Sequence, residues 1–248
     1  MTVVTYGETE NNRGAFELLV KGLIERHSLR AVCEVGAGAK PLLEDEYVRE
    51  HGLDCTLFDA SEEELQEASS SCRTVVGDIC AYDADNLGPF DLIYSRSVAE
   101  HIRRGDLFHK KIRDLLVDDG FACHLFPTLY ALPFVVNVLI PEQVSTFGKS
   151  LLIHGRWRSK HKKFPAYYSW CRGPSERQIT RLTELGYDVL EYTGFFGHEQ
   201  YYNHLPLLRK VHRHLKRVLV RHPSPHLTSF GMVALRKRPD DPGSTPSA

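Results

Sequence analysis

The chain has no apolar run long enough to cross a bilayer. Its most apolar window, residues 129–140, is only twelve residues and is flanked or broken by Pro127, Pro133 and Pro141. Paired cysteines are missing too. The six cysteines, at 33, 55, 72, 80, 123 and 171, form neither a C-x-x-C pair nor a zinc-ligand spacing. Four lie in or beside expected strands, where cysteine behaves as a small buried apolar residue, so they read as reduced thiols of a cytoplasmic protein and not as a disulfide framework. The first twelve residues are polar and acidic, so no secretory leader is expected. No internal repeat is visible.

What is present is an ordinary globular composition: 248 residues, 42% apolar and 25% charged. The formal net charge of −1 hides a split. Residues 1–126 hold 13 Lys and Arg against 24 Asp and Glu, whereas residues 127–248 hold 18 against 8, with eight of the thirteen histidines. The two halves either face different partners or attract each other within one domain.

The richest stretch is Glu34-Val-Gly-Ala-Gly-Ala-Lys-Pro41, which follows the apolar run Ala31-Val32-Cys33. Glycines after a strand let a ligand approach the backbone closely. Carboxylates recur where two further strands should end, Asp59 after Thr56-Leu57-Phe58 and Asp78 after Thr74-Val75-Val76-Gly77. An acid at the end of the second strand can accept from both hydroxyls of a ribose. This pattern describes a nucleoside pocket along one edge of a parallel sheet.

Periodicity predicts strands at 31–35, 55–58, 74–76, 90–94, 120–126, 187–193 and 228–236. Helices are expected at 14–27, 41–51, after Ser61, at 106–117, 175–185 and 205–220. The alternation implies an α/β fold: a doubly wound, Rossmann-like, seven-stranded sheet, mostly parallel with the last strand antiparallel. A single domain over 1–238 is expected, with substrate-lid insertions at about 127–173 and 194–226 and a disordered tail at 239–248. Both insertions follow strands and fall at the carboxyl edge, where open α/β sheets bind ligands.

On these residues the chain resembles the class I S-adenosylmethionine-dependent methyltransferases of the small-molecule type. Glu34, Gly36 and Gly38 match the acid-x-Gly-x-Gly motif; Lys40 stands where a third glycine is common. Asp59 matches the ribose position, and Asp78 with Ile79 the adenine position. Phe90 to Ile102 matches the fourth strand and the Glu-His pair that follows it. The resemblance covers residues 14–126, more loosely 174–236, and implies S-adenosyl-L-methionine as cofactor, held by Glu34, Gly36, Ala37, Gly38, Asp59, Ala60, Asp78, Ile79 and Ser95. It implies methyl transfer to a small molecule, most simply to a hydroxyl of a sugar, glycolipid or secondary metabolite. The alternatives are a non-catalytic cofactor-binding regulatory or assembly protein, which Lys40 keeps open, and an NAD(P)-dependent oxidoreductase, which uses a similar glycine turn.

His101, just beyond the fourth strand, is the expected general base, with Glu100 as its companion. Tyr167, Tyr168, Trp170, Arg172 and His198 are the candidate acceptor contacts, because aromatic rings with polar tips suit stacking on sugars or rings. His154, His161, Tyr201 and Tyr202 belong to the same insertions. No carboxylate cluster follows the fourth strand, so no metal is expected. No nucleic-acid module or Asn/Asp-Pro-Pro-aromatic signature is present, so nucleic acid is not the expected partner. The basic segment 205–220 places Leu208, Val211, Leu215, Val218 and Leu219 on one helical face among cations, a pattern that suits peripheral contact with the inner membrane face.

Overall fold

Strands and helices alternate along the chain and wind into one sheet. The structure is a computed structural model; it describes residues 2–68, 70–82, 87–129, 165–197 and 206–239, without the side chains of 206–208. The candidate His198, with His154, His161, Tyr201, Tyr202, most of the apolar window 129–140 and all but one residue of the tail, lies outside the described residues.

The strands are β1 (Val3–Glu8), β2 (Ala31–Val35), β3 (Asp54–Asp59), β4 (Arg73–Val76), β5 (Phe90–Arg96), β6 (Leu116–Pro127), β7 (Tyr187–Phe196) and β8 (Phe230–Lys237). They lie in the order β1–β7–β8–β6–β5–β2–β3–β4. Only β8 runs antiparallel, to β6 on one side and β7 on the other. The expected Rossmann-like sheet with its antiparallel last strand is therefore present, but with eight strands instead of seven. The added one is β1, which pairs in parallel with β7 from Val3↔Glu191 to Glu8↔Phe196. Thr5 and Thr193 share a hydroxyl hydrogen bond of 2.6 Å, and Tyr6 stacks on Phe196.

The helices are α1 (Asn12–His27), α2 (Asp45–Glu50), α3 (Glu62–Glu67), α4 (Gly105–Asp114), α5 (Glu176–Glu184) and α6 (Pro206–Arg221). One face of the sheet buries Phe16, Val20, Leu23 and Ile24 of α1 with Val48 of α2 and Leu65 of α3. The other buries Phe108 and Ile112 of α4 with Leu182 of α5. Each buried side chain of this size contributes about 1.5–3 kcal/mol relative to exposure, so the two layers hold the strands in fixed register. Helix α2 starts four residues later than its periodicity suggests, because Leu42 N–H is bonded to Glu34 and Leu42 and Leu43 are buried in the core. No helix among the described residues is long and apolar enough to cross a membrane.

Candidate active site at the carboxyl edge of the sheet

The glycine turn leaves β2 with Gly36 at φ +72° and Gly38 at φ +57°, the left-handed region that side chains disfavour. Gly36 N–H donates to the Phe58 carbonyl at 2.7 Å, and Gly38 N–H to Asp59 Oδ2 at 2.9 Å. A Cβ on Gly36 would stand 2.0 Å from Val98 Cγ2, so the loop after β5 closes directly on the turn. Buried Ala37 packs beneath.

Asp59 ends β3. Its Oδ1 accepts from Ser61 N–H at 2.9 Å while Oδ2 holds Gly38. A carboxylate offers about four acceptor positions, so two remain for the hydroxyls of a ribose. Glu64 of α3 reaches the same turn, its Oε2 accepting from Ala39 N–H at 3.1 Å. Ser61 Oγ caps α3 by accepting from Glu64 N–H at 3.2 Å. The Ser61-x-x-Glu64 spacing announced the cap. In a reciprocal capping box Glu64 would turn back to Ser61, but Asp59 occupies Ser61 N–H and frees Glu64 for the turn.

Asp78, exposed after β4, accepts from Cys80 N–H at 2.9 Å, and Ile79 beside it is buried. Tyr82 covers Gly77 and meets Phe58 edge-on, with centroids 5.2 Å apart. Ala60 is exposed at the mouth between these two acids.

Glu34 is fully buried under the turn. Its Oε2 accepts from Leu42 N–H at 2.7 Å, while Oε1 has no partner. Burial pushes its carboxyl up to about 7, the Leu42 bond and the Arg96 guanidinium working against that shift. Arg96 donates to the Lys40 carbonyl at 2.9 Å, so the residue standing in place of a third glycine ties the turn to β5.

Ser95 of β5 is buried and bonded to His124 Nδ1 of β6 at 2.8 Å. His124 faces His109 of α4 at 5.2 Å between centroids. Burial holds His109 down to about 4 and depresses His124 further below its ordinary range, so both rings are neutral. Nothing in the sequence marked this pair, which sits within an apolar strand and on an amphipathic helix.

Beyond β5, Ala99–His101 forms a single 3-10 turn. Glu100 is buried there, with Oε2 unpartnered, and desolvation lifts its carboxyl to about 8. Its carbonyl accepts from Tyr167 and Tyr168 N–H at 2.7 and 3.1 Å. His101, a third exposed, bonds through Nδ1 to the Pro165 carbonyl at 2.9 Å, and its Nε2 is 3.9 Å from Glu100 Oε1. The segment 165–174 is thereby laced to the Glu-His pair.

That lacing decides where the aromatic candidates point. Tyr168 is buried in the core at φ +50°. Trp170 packs over Gly105, where a Cβ would stand 2.6 Å from the indole. Arg172 donates to the Tyr168 and Cys171 carbonyls at 2.7 and 3.0 Å. Of the four described acceptor candidates, Tyr167 alone is exposed, at 49%. An open cleft of about 320 Å³ lies at the opposite, amino edge of the strands, between His27, Asp91, Val117 and Arg236, and contains none of these residues.

Residues 33–124 match the model of a methyltransferase domain family. Beyond that segment the chain shares the fold of solved S-adenosylmethionine-dependent methyltransferases. A methyltransferase from Archaeoglobus fulgidus shares the fold at a TM-score of 0.52 with 17% identity, covering 92% of this chain and 97% of that one. One from Clostridium acetobutylicum gives 0.55 and 12%, covering 92% of both chains. The plantazolicin methyltransferase BpumL, solved with a desmethyl plantazolicin analogue and S-adenosylhomocysteine, gives 0.54 and 13%, covering 94% and 87%. No curated protein matches the sequence.

The residues at this edge fit S-adenosylmethionine as a methyl donor. Gly36 leaves no room for a Cβ, and at Gly38 a Cβ would meet only the Glu64 carboxylate at 3.2 Å. Asp59 keeps acceptor positions, and Glu34 Oε1 is a buried oxygen still lacking a donor. A methyl donor with an amino group and a ribose diol supplies hydrogen-bond donors of the kind these carboxylates require.

Proposed function

We propose that this methyltransferase acts on a hydroxyl of a small molecule, a sugar, glycolipid or secondary metabolite, with His101 as general base and Glu100 as its buried partner. Glu34, Gly36, Ala37, Gly38, Asp59, Ala60, Asp78 and Ile79 hold the donor, and Ser95 supports the wall beside it. When bound, S-adenosylmethionine supplies a methyl group on a positively charged sulfur, ready for in-line displacement.

The observation that carries the reading is the bond from His101 to Pro165. A backbone carbonyl only accepts, so the neutral imidazole carries its proton on Nδ1, and Nε2 holds the lone pair. Nε2 is the nitrogen that can take a proton from an acceptor hydroxyl. Glu100 is a neutral acid near pH 7, because burial lifts it to about 8. Once His101 becomes an imidazolium, the oxygen of the neutral carboxyl 3.9 Å away turns its dipole to the new charge and keeps its own proton. A hydroxyl needs such a base, because it is otherwise a poor nucleophile.

Tyr167 is the described aromatic at the mouth. Tyr168, Trp170 and Arg172 serve the reading as the wall that fixes Pro165 and hence His101. A single domain over 1–238, with insertions at 127–173 and 194–226 closing over the carboxyl edge, belongs to the same proposal. Six unbridged cysteines suit a reducing cytoplasm.

The test combines a panel of glycosides and phenols, read by S-adenosylhomocysteine release, with the His101→Ala variant. Turnover on hydroxyl acceptors should fall about 100-fold or more, while calorimetric affinity for S-adenosylhomocysteine stays within about twofold. Unchanged turnover would remove His101 as base, and methylation confined to amines would remove the hydroxyl assignment.

A further inference from the structure

Helix α6 is turned the opposite way from a helix that seals a core. Its apolar residues Val211, Leu215 and Val218 recur at steps of four and three, which puts them on one stripe. That stripe faces solvent: the three are 57%, 49% and 41% exposed. Leu227, in the turn after the helix, is 51% exposed as well. Among the described side chains of the helix the buried one is a lysine, with His212, Arg213, Leu219 and Val220 half-buried. Lys216 is 7% exposed, its stem packs over Gly197 at the end of β7, and its ammonium meets Glu8 Oε2 at 3.0 Å and Glu10 Oε1 at 3.1 Å. A charged anchor therefore fixes the helix with the Val211, Leu215 and Val218 stripe outward.

The flank of the stripe is basic. Lys210, Arg217 and Arg221 are exposed and recur at steps of seven and four, along one shoulder of the helix. Residues 200–239 contain nine Lys and Arg and no Asp or Glu. A surface that suits this face has an apolar interior beneath a layer of negative charge. Two features favour lipid over protein. The stripe is purely aliphatic, whereas protein hot spots are built on Trp, Tyr and Arg. The cations stand without any interspersed acid, the arrangement of helices that lie in the bilayer interface.

We propose that α6 is a docking helix for an anionic lipid bilayer, lying in the interface plane with Val211, Leu215 and Val218 inserted and Lys210, Arg217 and Arg221 on the headgroups. Its anchor points, Glu8 and Gly197, stand at the carboxyl ends of β1 and β7. That is the edge on which the glycine turn also opens, so docking brings the catalytic edge to the membrane. The inference does not depend on the hydroxyl assignment, and its test involves no methyl transfer.

The full chain is sedimented with vesicles of phosphatidylglycerol and phosphatidylcholine, and separately with phosphatidylcholine alone. Binding is expected on the anionic vesicles, at least about tenfold weaker on the neutral ones, and weakened by salt. Leu215→Glu/Val218→Glu and Lys210→Glu/Arg217→Glu should each reduce it at least about tenfold. All four positions are exposed, so thermal melts should match wild type. Absence of binding to anionic vesicles at low salt overturns the proposal. So does binding that neither double variant changes, or a stripe whose substitution dissolves a dimer in sedimentation velocity while lipid binding is absent.

Discussion

The acidic and basic halves of this chain solve the same problem with opposite groups. In the first half carboxylates collect backbone N–H groups. Asp59 takes Gly38 and Ser61, Glu34 takes Leu42, Glu64 takes Ala39, and Asp91 takes Arg30 and Ala31. In the second half cations collect carbonyls: Arg172 those of Tyr168 and Cys171, Lys237 that of Leu116, Arg238 that of Thr183. The halves also meet directly, through Lys216 with Glu8 and Glu10, Arg236 with Asp119 and Lys237 with Asp118. The charge split is thus partly internal attraction and partly two ways of fixing loops. Carboxylates suit turns whose N–H groups converge on an anion. Cations suit strand and helix ends whose carbonyls lack partners. What the comparison teaches is that the glycine turn is held by fixed acceptors, whereas Lys210, Arg217 and Arg221 on the outer face of α6 are exposed to solvent.

The sharpest way to break the donor half is Gly36→Ala. The new methyl would meet Val98 Cγ2 at 2.0 Å, and φ +72° adds strain. Overpacking and left-handed backbone together cost roughly 4 kcal/mol, so affinity for S-adenosylhomocysteine should fall about a thousandfold. Adding Val98→Ala should recover the part due to the clash and leave the strain. If Gly36→Ala binds as wild type does in calorimetry, the turn is not the donor cradle.

Much of that donor half was legible, because its signals are local. A glycine pair after a strand and acids at strand ends follow from backbone geometry within a few residues. What escaped depended on partners distant in sequence. Strand β1 is short and ends in acids, and only the edge of β7, more than 180 residues later, supplies its ladder. Helix α2 begins late because Leu42 N–H is claimed by Glu34. Tyr168 and Trp170 carry the composition of a binding surface, yet Glu100 and Gly105 pull them inward. For α6 the periodicity located the apolar stripe but could not say which side packs, since Lys216 is buried by acids in β1 and the turn that follows it.

A smaller effect separates the two buried acids from the acids of the loops. Glu100 titrates near 8 in the folded chain and near 4.5 when unfolded. Its pKa is raised, so the fold keeps a proton that the unfolded chain releases, and stability is lost as pH rises between those values. The Glu100→Gln variant has nothing to ionise. It should gain roughly 2–4 kcal/mol over wild type between pH 5 and pH 8, in chemical denaturation. The buried His109 works in the other direction: held near 4, it costs stability only as pH falls below the usual histidine range. Glu34, near 7, and His109 titrate alike in both proteins, so between pH 7 and 8 the gap between variant and wild type isolates the Glu100 carboxyl. A constant gap between variant and wild type across that window would show that Glu100 is ionised in the fold, and the neutral partner assigned to His101 would go with it.

The least change comes from Lys216→Met, which tests how the basic half is fastened. Methionine keeps most of the stem over Gly197 and removes the ammonium. Glu8 and Glu10 are about half exposed, so water can replace the lost partner for both. The expected loss is therefore about 1 kcal/mol, well below the 3–5 kcal/mol of stranding a charge in a dry core. The apolar stripe of α6 should then be less firmly held outward, and protease cleavage at Arg217 and Arg221 should quicken while the donor affinity stays the same. If donor affinity falls as well, the anchor reaches the glycine turn through β1 and β7, and the two halves are one mechanical unit and not two separately fastened ones.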